Sequence, residues 1–424
     1  MAGGRRRSLA LAAIGAFVVV LGLWNAHSYP PGQGYDAVDH IAYADTLVPG
    51  GHLPHGTGEY YTPPGYYAVA GTLDWLAREA GAGEPHRAGA AINVFFLLGT
   101  ALLVYRLARE LWPGRERVAL GAAAFVALVP VTVKTEAMFH PETLNLLLST
   151  LALYLATRMV VRRSFGFLPA LGVGVAVGAD LLTRRAGLFT LAAILLALGF
   201  VALVERRPRA LAAAAVVLVV GSGMYAPWYV HVHNLKPPAH HGPQNVPPPL
   251  TASFFTGLAV PAALATPWRP HFTNRVFPMT YTEVWGDFFG AFSWTPPPPP
   301  KASDERQLQA QSALGVVPTV LAVGGWLLLL GLALVRRRDL LPLALLPGIA
   351  LVGYLWYTAH DLSPDGDVIK ATYIVSTAPV WALGFAYAFA LLPRRAALGL
   401  GALLAVSALV DLRFLVYGSP LGFL

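Results

Sequence analysis

Long apolar runs limit most strongly what this chain can fold into. They recur from Leu9 almost to the C-terminus, separated by short Arg-bearing segments. A helix crossing the hydrocarbon needs roughly 20 apolar residues, because lipid offers no partner to an unsatisfied backbone group. The chain is 56% hydrophobic and 12% charged, where soluble domains carry about 25% charged residues. The expectation is an all-α polytopic membrane protein with about 11 transmembrane helices (10–13), forming a single membrane domain, 1–424. Predicted spans lie near 9–24, 87–106, 118–133, 142–161, 166–182, 187–204, 209–229, 313–335, 340–357, 371–392 and 396–415.

Charge placement orients the spans. The net charge of +8 does not form a basic binding face, so nucleic acid is not an expected partner. Eighteen of the 30 Lys and Arg fall in the short loops of one side, from Arg5–Arg7 through Arg336–Arg338 to Arg394 and Arg395, and 18 of the 22 acids fall on the other. The positive-inside bias makes the Arg-rich side cytoplasmic and predicts a multi-pass protein of the cell (cytoplasmic) membrane, its N-terminus inside. The first run ends in Leu23-Trp24-Asn25-Ala26, without small residues around a cleavage site, and reads as an uncleaved span. With no cysteine, disulfides and thiolate metal sites are excluded.

The outer side holds two irregular segments. One is a first outer loop, 26–86, expected to be catalytic and to carry interfacial helices; Gly65–Gly81, with Leu73, Leu76 and Ala77 against Asp74, Arg78 and Glu79, reads as amphipathic. The other is a long Pro-rich loop, 230–312, expected to hold short helices. In a helix from Asp36 to Leu47, the residues Asp36, Asp39, His40 and Tyr43 share one face. Asp36 there is either a helix cap or a general base that takes a proton from an acceptor hydroxyl. Glu59 is a second candidate base, and Tyr60 and Tyr61 sit at headgroup level or stack on a sugar. Arg184, Arg185 and Lys370 break the charge pattern at outer helix ends, where charge-assisted bonds to a phosphate are available. For Arg184 the alternative is an i, i+4 pair with Asp180. His231, His233, His240 and His241 lack a nearby carboxylate and read as ordinary loop histidines. Asp287, in Trp285-Gly286-Asp287, belongs to an aromatic anchor or to an element shaping an acceptor groove.

The stretch Asp36 to Tyr67, D-x-x-x-H-x-x-Y-A-x-x-L, then L-P, then E-Y-Y-x-P-P-x-Y-Y, resembles the first outer loop of the GT-C superfamily of membrane glycosyltransferases. Within it, the chain resembles the protein O-mannosyltransferase and aminoarabinose transferase group. Those families usually show Asp-Glu where this chain has Asp36-Ala37, which leaves Asp39 and Glu59 as substitutes for the second acid. His86-Arg87-Ala88-Gly89, EAMFHPETLN (136–145), Leu182-Thr183-Arg184, WYVHVHN (228–234) and Lys370-Ala371-Thr372-Tyr373 are similar to further family segments in the same order.

The resemblance implies an inverting glycosyltransferase that moves a sugar from a polyprenyl-phosphate donor to a glycan, lipid or protein acceptor outside a bacterial cytoplasmic membrane. It implies Asp36, Asp39, His40 and Glu59 as catalytic residues. Lys370, Tyr373, Arg184 and Arg185 would bind the donor phosphate, and Tyr43, Tyr61, Glu142 and Asp287 the substrate. A divalent cation, Mg2+ or Mn2+, is an optional cofactor on Asp36 and Asp39. Two rival readings are a transporter or flippase of a lipid-linked sugar and an inactive scaffold of the same fold.

Overall fold

The computed structural model describes residues 2–55, 58–82, 84–235, 250–267, 272, 275–286, 302–361 and 368–417. Among these residues there are helices and turns and no strand. The helices are α1 (Ala2–Ser28), α2 (Ala37–Leu47), α3 (Gly65–Glu79), α4 (Arg87–Leu111), α5 (Glu116–Leu128), α6 (Pro130–Ala137), α7 (Glu142–Val161), α8 (Phe167–Leu181) and α9 (Gly187–Val204). They continue with α10 (Pro208–His233), α11 (Ala252–Thr256), α12 (Val260–Ala265), α13 (Val276–Trp285), α14 (Ala302–Val335), α15 (Leu341–Ala344), α16 (Leu346–His360), α17 (Ala378–Ala390) and α18 (Arg394–Leu415).

Eight stretches are long and apolar enough to cross a membrane, and the bent pair α5–α6 makes a ninth. The shorter α8 and the 22-residue α18 are the remaining apolar runs. The run expected at 118–133 is not one straight helix. Its two halves meet at 52°, because Pro130 opens α6 and holds Val129 extended, at φ −63° and ψ 127°. The run expected from 371 begins as a 3-10 turn, Ala371–Thr377, before α17.

Lipid supplies no hydrophobic drive between helices, so close backbone approach holds the bundle together. At the crossing of α14 and α17, a Cβ on Gly325 would lie 1.9 Å from the Gly384 carbonyl oxygen, so only glycine fits there. Polar bonds add to this inside the bundle. Buried Asp180 on α8 accepts from Asn145 and Ser149 of α7, both at 2.6 Å, and Thr190 of α9 donates to Ser149 at 3.0 Å. The i, i+4 pair between Asp180 and Arg184 does not form, because Asp180 turns into this network.

Helices α2 and α3 lie together on the N-terminal half of α4, over Tyr43, Tyr66, Tyr67 and Ala70, all buried. The two faces of α3 are not divided as its pattern predicts: Asp74 is buried while Leu76 is half exposed. Asp74 goes inward because His86 Nδ1, at the start of α4, lies 3.1 Å from its carboxylate. The 230–312 segment contributes α11, α12 and α13 as short helices.

Candidate active site

Asp36 stands immediately before α2 with a left-handed φ of 51° and makes no capping bond. Its carboxylate meets the Lys370 ammonium instead, Oδ2 to Nζ 3.0 Å, across 334 residues of chain. Lys370 is 3% exposed and Asp36 37%, so the acid forms the accessible end of a buried cation. The ammonium lies 5.3 Å from the Tyr35 ring centroid and 5.8 Å from that of Tyr373. Glu283 of α13, itself buried, braces both partners: it accepts from the Tyr35 hydroxyl and from the Ala371 backbone N–H.

A second cluster adjoins the first through Tyr373, whose ring centroid is 5.9 Å from the Arg184 guanidinium. Arg184 Nε donates to Glu142 Oε1 at 2.7 Å, and NH1 donates to Thr62 Oγ1 at 3.2 Å. Glu59 Oε2 lies 3.7 Å from the same NH1. Glu59 is held in turn by the Tyr61 hydroxyl at 2.8 Å and the Thr62 hydroxyl at 2.5 Å. Arg185 NH2 donates to the Tyr61 carbonyl at 3.1 Å. One backbone contact sets this register, since Gly65 N donates to Leu182 O at 2.7 Å and a Cβ on Gly65 would lie 2.7 Å from that oxygen. The Pro-Pro-Gly of the first loop is thereby docked on the end of α8, and Glu59 and Thr62 face Arg184.

His40 and Tyr43 turn inward. His40 Nδ1 is 2.7 Å from the Tyr67 hydroxyl, Tyr43 stacks on Tyr67 at 3.9 Å, and His140 meets His40 edge-on at 4.6 Å. Burial pushes both imidazoles well below their usual value; the Arg184 charge adds to this for His40, and for His140 the neighbouring His40 and then Arg184 do. Asp39 is exposed, and partial burial followed by the nearby Asp36 and Glu59 charges raises its pKa.

The shared face predicted for Asp36, Asp39, His40 and Tyr43 is therefore split. Asp36 precedes the helix, Asp39 looks outward, and His40 and Tyr43 are core. Lys370, Tyr373, Arg184, Asp36 and Glu59 come together as the sequence suggested. Glu142 lies with them but fully buried behind Arg184. Asp287, His240 and His241 lie outside the described residues. His231 and His233 end α10 against Trp228 and Tyr229. Sequence reasoning missed Tyr35, Thr62, His140 and Glu283. His140 had a signal, standing two residues before Glu142, whereas Glu283 had none beyond being the acid of α13.

At the pair expected to hold a cation, the Asp36 carboxylate is held by the Lys370 ammonium and Asp39 is exposed. Among the described residues, the group with metal-ligand spacing is Asp45, Asp74 and His86, whose ligating atoms lie within 4.8 Å of one another. Arg78 is already among them, 2.9 Å from Asp45 and 3.5 Å from Asp74.

An all-helical bundle whose first loop folds as two short helices over the helix ends shares its fold with the solved structures of AglB and ArnT. Residues 82–228 match the family model described as dolichyl-phosphate-mannose-protein mannosyltransferase. The archaeal oligosaccharyltransferase AglB from Archaeoglobus fulgidus, in complex with an inhibitory peptide and a dolichol-phosphate, is similar at 15% identity and a TM-score of 0.56, over 97% of this chain and 56% of that one. ArnT from Cupriavidus metallidurans bound to undecaprenyl phosphate is similar at 16% identity and a TM-score of 0.54, over 95% of this chain and 63% of its own. The chain thus spans less than two thirds of the length of these solved structures. No curated protein sequence matches it.

Proposed function

We propose that the protein is a glycosyltransferase that moves a sugar from a polyprenyl-phosphate donor to an acceptor hydroxyl on the outer side of the cytoplasmic membrane. The observation that carries this reading is the contact between Asp36, accessible on the first-loop face, and the buried cation Lys370. The lipid phosphates held by the AglB and ArnT structures support the donor class.

Asp36 takes the proton of the acceptor hydroxyl. The acceptor oxygen forms a bond to the anomeric carbon from the face opposite the phosphate, and the bond from that carbon to the phosphate oxygen breaks, with inversion. The polyprenyl phosphate leaves with the electron pair, and Lys370 and Arg184 receive its charge. Before the donor arrives Lys370 is spent on Asp36. The donor phosphate draws the ammonium toward itself and releases the carboxylate to act as base. Glu142 and Glu59 hold Arg184 in place and are positioning residues in this scheme; no step runs through a metal ion.

Purified protein given a radiolabelled polyprenyl-phosphate sugar tests the reading. Asp36→Asn is expected to lower transfer about 10²- to 10⁴-fold, with the folded state retained. Full transfer by Asp36→Asn rules out the base, and unchanged donor affinity in Lys370→Ala removes the phosphate role.

A further inference from the structure

A groove of about 1610 Å3 runs between α1, α5, α17 and α18, and neither Asp36 nor Lys370 lines it. Among the described side chains its walls are aliphatic and aromatic apart from Ser407, and the charged ones that line it are two cations, Arg117 and Arg394. We propose that this groove binds an anionic phospholipid, its phosphate on Arg117 and Arg394 and its acyl chains lying along α5, α17 and α18.

Three features point to that occupant. First, the groove has the length of a lipid chain's path. Helix α18 lines it from Arg394 to Leu415, 22 residues, or about 33 Å at 1.5 Å per residue, against a hydrocarbon core of about 30 Å. Space of this size at membrane depth fills with chains, because its lining has no other atoms to pack against. Second, the charge among the described lining side chains is of one sign and at one end. Arg117 and Arg394 lie in the first turns of α5 and α18, where unsatisfied backbone N–H groups also favour an anion. Among the described side chains no acid lines the groove, and Glu116, next to Arg117, is turned to Tyr105 and Arg109. Third, the opposite end is tied together. Asn25 Nδ2 donates to Leu415 O at 2.7 Å and Trp24 Nε1 to Tyr417 O at 3.0 Å, which ties the end of α18 to α1, and Trp285 and Val129 stand beside it. The cations therefore seat a headgroup at the end that carries them, on the Arg-rich face.

The test reads lipid retained by the full chain. Protein is exchanged into nanodiscs of phosphatidylcholine and phosphatidylglycerol, re-extracted, and its bound lipid identified by native mass spectrometry. Wild type is expected to keep phosphatidylglycerol over phosphatidylcholine, and Arg117→Gln with Arg394→Gln to keep about tenfold less of it. Gly401→Trp leaves both arginines intact and projects toward Phe389, whose Cζ lies 3.7 Å from the added Cβ position; it is also expected to lower retention. It decides the matter alone where the double variant fails to fold. Equal retention of the two lipids, wild-type retention in either variant, or a second copy or foreign helix cross-linked to the groove face of α18 overturns the proposal.

Discussion

On the face that carries the first loop, Arg184 is 14% exposed and its partner Glu142 1%. On the opposite face, Arg163 and Glu205 are 54% and 21% exposed at a similar separation. The residue types match, but the surroundings do not. A buried pair is desolvated at a cost that its own attraction barely offsets, whereas an exposed pair costs little and contributes little. Charges kept where they are expensive mark the face where the chemistry is proposed. Those kept where they are cheap belong to the Arg-rich loops of the other face.

Substitutions can break this contrast, and the largest effect belongs to Arg184→Gln. It strands Glu142 in the interior and is expected to cost about 3–5 kcal/mol, read as lost thermal stability in detergent. Arg184→Met combined with Glu142→Met should recover most of that loss; if the single change is silent, the pair is not structural. Next is Gly65→Ala, which sets a methyl against the Leu182 carbonyl and is expected to cost about 1–3 kcal/mol. Transfer should fall with it, since Glu59 and Thr62 lose their register on Arg184.

A smaller effect comes from pH. His40 and His140 are held below the usual 6.5 in the folded protein, so the unfolded chain binds protons first as pH falls. Stability then declines below about pH 6.5, by up to about 1.4 kcal/mol per pH unit for each histidine, until the folded-state values are reached. Unfolding followed between about pH 7 and pH 5 should show this slope, and His140→Gln should reduce it. The smallest effect belongs to Glu205→Gln, expected to cost less than about 1 kcal/mol. A larger loss there would erase the distinction between the faces.

The helical bundle was legible because lipid enforces it: apolar length and Arg placement leave little choice of architecture. Lys370 and Arg184 were also legible, as cations that break the charge pattern at outer helix ends, and Asp36 as an acid of the first-loop motif. The partners of those charges were not. Arg184 has an acid four residues back, at Asp180, yet bonds to Glu142 and Thr62 instead, because Asn145 and Ser149 claim Asp180. The face expected for α2 failed because Asp36 adopts a left-handed backbone and leaves the helix that would have aligned it with Asp39. Periodicity describes one helix at a time, while the site is assembled from the ends of several.

Glu283 links two points that the sequence holds far apart, one hydrogen bond going to the residue before Asp36 and the other to the residue after Lys370. Any shift of α13 therefore moves both ends of that contact together, like a yoke on two levers. Helix α13 of the Pro-rich segment is thereby coupled to the placement of acid and ammonium alike.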